Sequence, residues 1–578
     1  MFDAELFGLD LLDALVVLVY LVGVTSLGVL SGRFVKSAGD FFMPRRFGKA
    51  LMVTHAFGAG TASDQAVVVA AETFRSGVSG IWWQWLWLPV TPFYWLLAPI
   101  MRRLRAVTTA DAYELRFDRS VAVLFAFVGI VGLSVKIGLM LKGASALIEA
   151  STAGTINTDL AVKVVTITFV IYGMAGGLGA AIIADFFQGI LTVVFSFLLL
   201  PFVLSAVGGM SGIRATIQDP AMLSIVTPGV IGPFFIVMYA VQALVGIVAQ
   251  PFIMGVCSAG RTEIDGRYGF MFGNILKRIC TIAWTLTALA AVAWYMQQGK
   301  DLSAIEPDHV YGDIARHFFP QMAPGLLGLF VASLLAAVMN SCDSYMIASA
   351  GLFTQNLYRP LMASKPERHY VWVGRLSSLM VVVGGYLFAQ YVPDVKTALD
   401  IWFKMAPPLG VAFWMGLFWR HTTPLGAWAA TLAGFGAWWL GVAGGFVSWV
   451  AGLPLADQLD LVWQESGKAA KIYEPWLILF YTGSAVAACI IVSLLTPQIA
   501  PEKLQRFYDL TRTPVREGEV VERPCTLPVG VEPAQRRMLV TLCGLEIPAP
   551  SATSVRGFVA GWVCVALLVV GFLLIIRW

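Results

Sequence analysis

Four short clusters of oxygen-bearing side chains sit inside otherwise apolar sequence, and they are where this chain could do chemistry. The first is HAFGAGTASDQAVVVAAETF, in which Gly58 and Gly60 are followed at once by Thr61, Ser63, Asp64 and Gln65. The second, PFFIVMYAVQALVGIVAQPFIM, carries Gln242, Gly246 and the Gln250–Pro251 step. In the third, LLAAVMNSCDSYMIASAGLFTQNLYRP, a turn of about 100° per residue puts Ala337, Asn340, Ser341 and Ser344 on one face, with Asp343 on its flank. The fourth is GGLGAAIIADFFQ, where Asp185 stands alone among apolar neighbours. Oxygen ligands without His or Cys pairs suit a hard cation such as sodium and not a transition metal. The seven cysteines show no CxxC or metal spacing. No nucleophile–base pair, phosphate loop or metal motif argues for an enzyme.

The elements that must carry these clusters are membrane helices. Of the 578 residues, 58% are apolar and 13% charged, and mean hydropathy is +0.76. Soluble proteins hold about 25% charged residues, so a soluble enzyme is excluded. A net charge of +4 is too balanced for a nucleic-acid binder. What remains is an all-α polytopic membrane protein whose partners include the lipid bilayer, with no obligate protein partner evident. Taking roughly 17–25 apolar residues per span, the chain reads as fourteen spans, near 10–32, 48–75, 80–101, 121–149, 160–178, 180–207, 230–256, 275–297, 323–357, 371–392, 397–419, 424–445, 474–495 and 555–577. The acidic leader of the first span reads as a retained helix rather than a signal peptide. Lys and Arg gather in alternate connections, among them Arg33, Lys36, Arg45 and Arg46, then Arg102, Arg103 and Arg105, then the 496–554 loop. Positive charge stays inside, which puts both termini outside at the plasma (inner) membrane. The 496–554 loop itself reads as a solvated linker.

A single hydrophobic helix has no reason to hold polar groups at mid-membrane. Close helix packing accounts for Gly58 and Gly60, but not for a carboxylate and an amide beside them. The second and seventh spans therefore read as broken helices, and Pro251 removes a hydrogen bond from the latter. Breaks five spans apart are the sequence sign of an inverted repeat with its binding site near the membrane midplane. Repeats of about 48–207 and 230–419 follow, forming a ten-helix core over 48–420. An extra helix and loop (1–47) precede it, and further helices (421–578) follow.

GAGTASDQ, MAGGLGAAIIADFFQ and LLAAVMNSCDS through LFTQNLYRP, in this order and spacing, resemble the sodium:solute symporter family, from about residue 10 to about 445. The resemblance implies a leucine-transporter-type core of ten helices and alternating access driven by sodium. Carried over, the principal sodium site would use the carbonyls of Gly58, Thr61 and Ala337 with side-chain oxygens of Asn340 and Ser341. Family members usually have hydroxyls at both of the last positions, and here one is an amide. Asp185 matches the family's acidic residue on its span. It would form a second ion or proton site with Asp343 and Ser344, holding either one sodium ion or one proton shared between two acids. By similarity with sugar carriers, Gln65, Gln84 and Gln242 occupy solute-contacting positions. Trp87 and Gly60 depart from that pattern.

The remaining charges have simpler readings. Lys277 matches a lysine of the sugar carriers but beside Arg278 also fits the rim of the membrane. Asp400 and Lys404 should satisfy each other one turn apart. Lys136 lies deep enough to need a carboxylate partner or to snorkel. Glu72 reads as solvated near a helix end, and His55 as a packed helix residue. Trp82 and Trp95 read as an interfacial belt, while Trp83 and Trp87 fit either pocket lining or packing. The expected function is sodium-coupled symport of a small polar solute, a sugar or polyol first, an amino acid or carboxylate otherwise. A transporter-like sensor is the rival from another class.

Overall fold

A computed structural model of the chain describes residues 5–6, 8–31, 41–61, 63–227, 231–464, 469–521 and 523–577. Arg33 and Lys36 lie outside them. Among the described residues the chain is overwhelmingly helical, and three two-stranded hairpins make up its sheet. Among the described residues nine helices are long and apolar enough to cross a bilayer alone. They correspond to nine of the fourteen expected spans. The other five, 10–32, 48–75, 80–101, 160–178 and 230–256, differ for local reasons. The first contains a shorter apolar stretch, Leu11–Gly23. Two of the others are divided: 48–75 into Lys49–Gly58 and Ser63–Ser76, and 230–256 into Pro233–Ile247 and Ile253–Ser258. The 80–101 segment folds as a short turn, Trp82–Trp85, and then Thr91–Arg103.

The expected boundary near residue 179 is a kink, not a loop. Thr158–Leu198 runs on across Gly177, whose φ of 63° is left-handed and favours a residue without Cβ. Such a bend aims Asp185, one helical stretch later, back towards the broken second span. Both halves of that span pack on the protein interior. Lys49–Gly58 lies against Glu263–Gln297 and Thr158–Leu198, and Ser63–Ser76 lies against Arg119–Ser151 and Glu263–Gln297. Contact with Arg119–Ser151 is close because of Gly143: a Cβ there would stand 2.5 Å from the Asp64 Cα. Gly143→Ala is therefore expected to destabilise the fold by about 1–3 kcal/mol, the range for overpacking a filled core. Its melting temperature in detergent micelles should fall below that of a surface change such as Lys163→Ala, because Lys163 is exposed on the same bundle. An unaltered melt would mean that the two helices can part without cost.

The 496–554 segment is not a solvated linker. It holds a helix, Pro501–Arg512, and a hairpin of Met538–Leu542 with Leu545–Pro548. Arg105 grips both carboxylate oxygens of Glu519 at 2.6 and 2.9 Å. Glu546 is shared by Arg420 and Arg512 at 2.7 and 2.6 Å. Arg105 and Arg420, each just beyond a helix end, thus find carboxylates of this distant segment, and a charge-rich stretch becomes a docked one.

Candidate functional site

The site is built around the interruption after Gly58. Ending the helix there frees backbone carbonyls that a continuous helix would have used. The long helix Leu326–Gly351 supplies hydroxyls to two of them. Ser341 Oγ donates to the Gly58 carbonyl at 2.6 Å, and Tyr345 Oη donates to the Ala59 carbonyl at 2.7 Å. Ser341 and Tyr345 are fully buried. One turn before Ser341, Ala337 is buried on the same helix, and the Thr61 hydroxyl is buried without a hydrogen bond. The structure thus brings Gly58 and Ser341 into contact, with Thr61 and Ala337 nearby in the chain. The Asn340 side chain lies outside what is described.

Beside the break is a cavity. Gly60, Gln65, Gln84, Trp87 and Lys277 line it together with Lys136, Asn274, Arg278, Tyr345 and Trp402. Four of the five expected solute residues therefore share one wall. The fifth does not. Gln242 donates to the Phe403 carbonyl at 2.9 Å and lines a smaller neighbouring cavity, which Trp87, Trp402 and Phe403 separate from the first. Gln65 folds back to donate to the Gly60 carbonyl, leaving its own Oε1 buried without a partner. Gln84 accepts from Arg278 Nη1 at 3.2 Å. Lys277 Nζ occupies the space that a Cβ on Gly60 would take, so the missing side chain there makes room for the ammonium. Lys277 belongs to the cavity and not to the membrane rim.

Several aromatic and charged residues sit differently from expectation. Trp83 packs on Phe235 and Tyr239, with Lys396 over its ring at 4.9 Å, and is not part of the lining. Trp95 is buried and donates to the Thr553 carbonyl of the last helix, so it is packing rather than a belt. Glu72 is buried, not solvated, and pairs with Arg75 at 2.6 Å and Lys396 at 2.7 Å. Lys404 pairs with Asp400 as expected, and with Glu474 at 3.0 Å as well.

Two buried pairs flank the break. Lys136 Nζ lies 3.0 Å from Asp64 Oδ2, with both side chains almost wholly enclosed. His55 Nδ1 bonds Asp185 Oδ2, again with both side chains enclosed. The expected companions of Asp185 were Asp343 and Ser344. Asp185 bonds the histidine that precedes the break, and Ser344 lines an adjacent cavity together with His55. Asp343 is buried on the long helix. Among the residues missed as site members are His55, Arg278, Tyr345 and Trp402. Arg278 had a signal, a second basic residue beside Lys277 inside an apolar helix. The others had none, since nothing local marks which helix they face.

Comparison with known proteins sets this geometry in context. A family model described as the sodium:solute symporter family matches residues 41–434. The osmoregulated proline transporter OpuE of Bacillus subtilis (strain 168) is 26% identical over 76% of this chain and 85% of its own length. The sodium/glucose cotransporter 4 of Danio rerio is 23% identical over 91% of this chain and 85% of its own. In fold, the chain is similar to a solved Na+-coupled sialic acid symporter, with a TM-score of 0.67 and 17% identity, covering 84% of this chain and 98% of that one.

Proposed function

The chain belongs to the sodium:solute symporter family, a family of multi-pass membrane transporters, and we propose that it moves a small polar organic solute inward with sodium by alternating access. The observation that carries this reading is the helix break itself: carbonyls freed at Gly58 and Ala59 are met by hydroxyls of the long helix, directly beside a polar cavity. Sodium would take the carbonyls of Gly58, Thr61 and Ala337 with the side chains of Asn340 and Ser341. Where Ser341 donates to Gly58, two oxygens 2.6 Å apart would turn to share one cation. Bridging the broken helix to the long helix in this way holds the outward-open state. Solute bound by Gln65, Gln84 and Trp87 then closes the cavity, and rocking of the ten-helix core over 48–420 opens it to the cytoplasm. Both termini lie outside in this arrangement.

The second ion position carries a proton and not a second sodium ion. Its support is the His55–Asp185 bond. A histidine and a carboxylate that share one proton hold it directly between them, and the Asp185 oxygen engaged in that bond is not free to ligate sodium.

Ser341→Ala tests the principal site. Loss of one oxygen typically costs about 0.5–1.5 kcal/mol, which is about two- to tenfold in affinity. The sodium concentration for half-maximal uptake into proteoliposomes should rise by that factor, and saturating sodium should restore most of the rate. Unaltered sodium dependence would remove Ser341 from the site.

A further inference from the structure

The central cavity is lined by three basic side chains, Lys136, Lys277 and Arg278, none more than 5% exposed. One of them is neutralised on the spot, by Asp64 at 3.0 Å. Among the described residues neither Lys277 nor Arg278 enters an ion pair. Arg278 reaches only the neutral oxygen of Gln84, and its Nε is buried without a partner. Lys277 projects into the gap left by Gly60, at the helix break.

Two basic side chains without an ion-pair partner, both almost wholly buried, are costly unless something supplies the opposite charge. A lysine can escape by giving up its proton, but a guanidinium cannot. Its planar fork is also the shape that meets a carboxylate through two parallel hydrogen bonds. We infer that the solute is an organic acid whose carboxylate sits between Lys277 and Arg278, while Gln65 and Gln84 hold its uncharged polar groups and Trp87 and Trp402 cover its body. This inference rests on the symport reading and narrows its solute. It reverses the preference for a neutral sugar or polyol that the amides alone suggest: a hydroxylated solute would be the acid form, such as a uronate or a hydroxy acid. An uncharged look-alike would leave both basic side chains without a partner and should therefore be rejected.

The test is a thermal-shift and equilibrium-binding series on the purified full-length chain, using matched pairs: glucuronate against glucose, lactate against propane-1,2-diol, and N-acetylproline against N-acetylprolinamide. Each is run in sodium chloride and in choline chloride. At least one acid should stabilise the protein in sodium while its neutral partner does not. Arg278→Gln and Lys277→Gln should each weaken that acid by at least about tenfold, the range for a charge-assisted hydrogen bond. Arg278→Lys, which keeps the charge but loses the fork, should fall between. Stabilisation by sodium alone, retained in all three variants, shows that they are folded. Equal or better protection by the neutral members, no protection by any acid, or full acid affinity in Arg278→Gln would each overturn the inference. A wild-type protein that sodium does not stabilise, with or without solute, would instead bring down the symport reading while acid binding still stood.

Discussion

Lys136→Met is expected to destabilise the protein by about 3–5 kcal/mol, the cost of removing one partner from a buried ion pair. The substitution nearly conserves volume, so packing contributes little. What it leaves behind is the Asp64 carboxylate, fully enclosed, with one oxygen already lacking a hydrogen bond and the other deprived of its ammonium. Asp64 stands in the first turn after the break, where the helix Ser63–Ser76 restarts. Its loss of a partner is therefore felt where the two halves of the broken span join. The double variant Asp64→Asn, Lys136→Met should recover most of the melting temperature, because no unpaired charge remains. Uptake should not recover with it, since the cavity wall has lost a fixed charge and lies against the proposed sodium site. A single variant as stable as the parent would show that the pair carries no structural weight, and additive losses in the double variant would show that the two residues act separately.

A second large effect is expected at His55 and Asp185, which join the helix before the break to the kinked helix Thr158–Leu198. His55→Leu strands the Asp185 carboxylate and should cost a similar amount, about 3–5 kcal/mol. Asp185→Asn removes the charge instead and should be far milder in stability, while altering how uptake depends on pH. Sodium-driven uptake in proteoliposomes, followed across a pH series, should depend on pH in the parent and lose that dependence in Asp185→Asn. The ratio of sodium to solute should stay the same in both. A ratio that falls by one sodium ion in Asp185→Asn would return this position to a sodium site and remove the proton from the mechanism.

Much of this protein could be read from its residues. Polytopic helices follow from composition, since runs of apolar residues this long cannot be covered by soluble packing. The break after Gly58 follows from glycines placed before Thr61, Asp64 and Gln65, because a continuous helix in lipid has no use for that set. Pro251 marks the second break for the same reason, and the kink at Gly177 falls within the glycine pair of MAGGLGAA. These are local facts, decided within a few residues by backbone hydrogen bonding and steric freedom. The family followed from three strings in order, and the family model confirms it.

Which charges meet was settled only by tertiary structure. Asp64 and Lys136 are 72 residues apart, His55 and Asp185 130, and Gln84 and Arg278 194. Periodicity says which side of a helix a residue occupies, but not which neighbour that side faces or at what depth. Those depend on crossing angles and on the vertical offset between helices, and an offset of one turn brings a different set of side chains together. Hence the bond between Asp185 and His55, and the two cations that enclose Glu72, lie beyond what periodicity predicts. Lys277 could be assigned to the rim or to the cavity from its sequence alone. The room that Gly60 leaves beside it, a feature of how two distant helices cross, decides for the cavity.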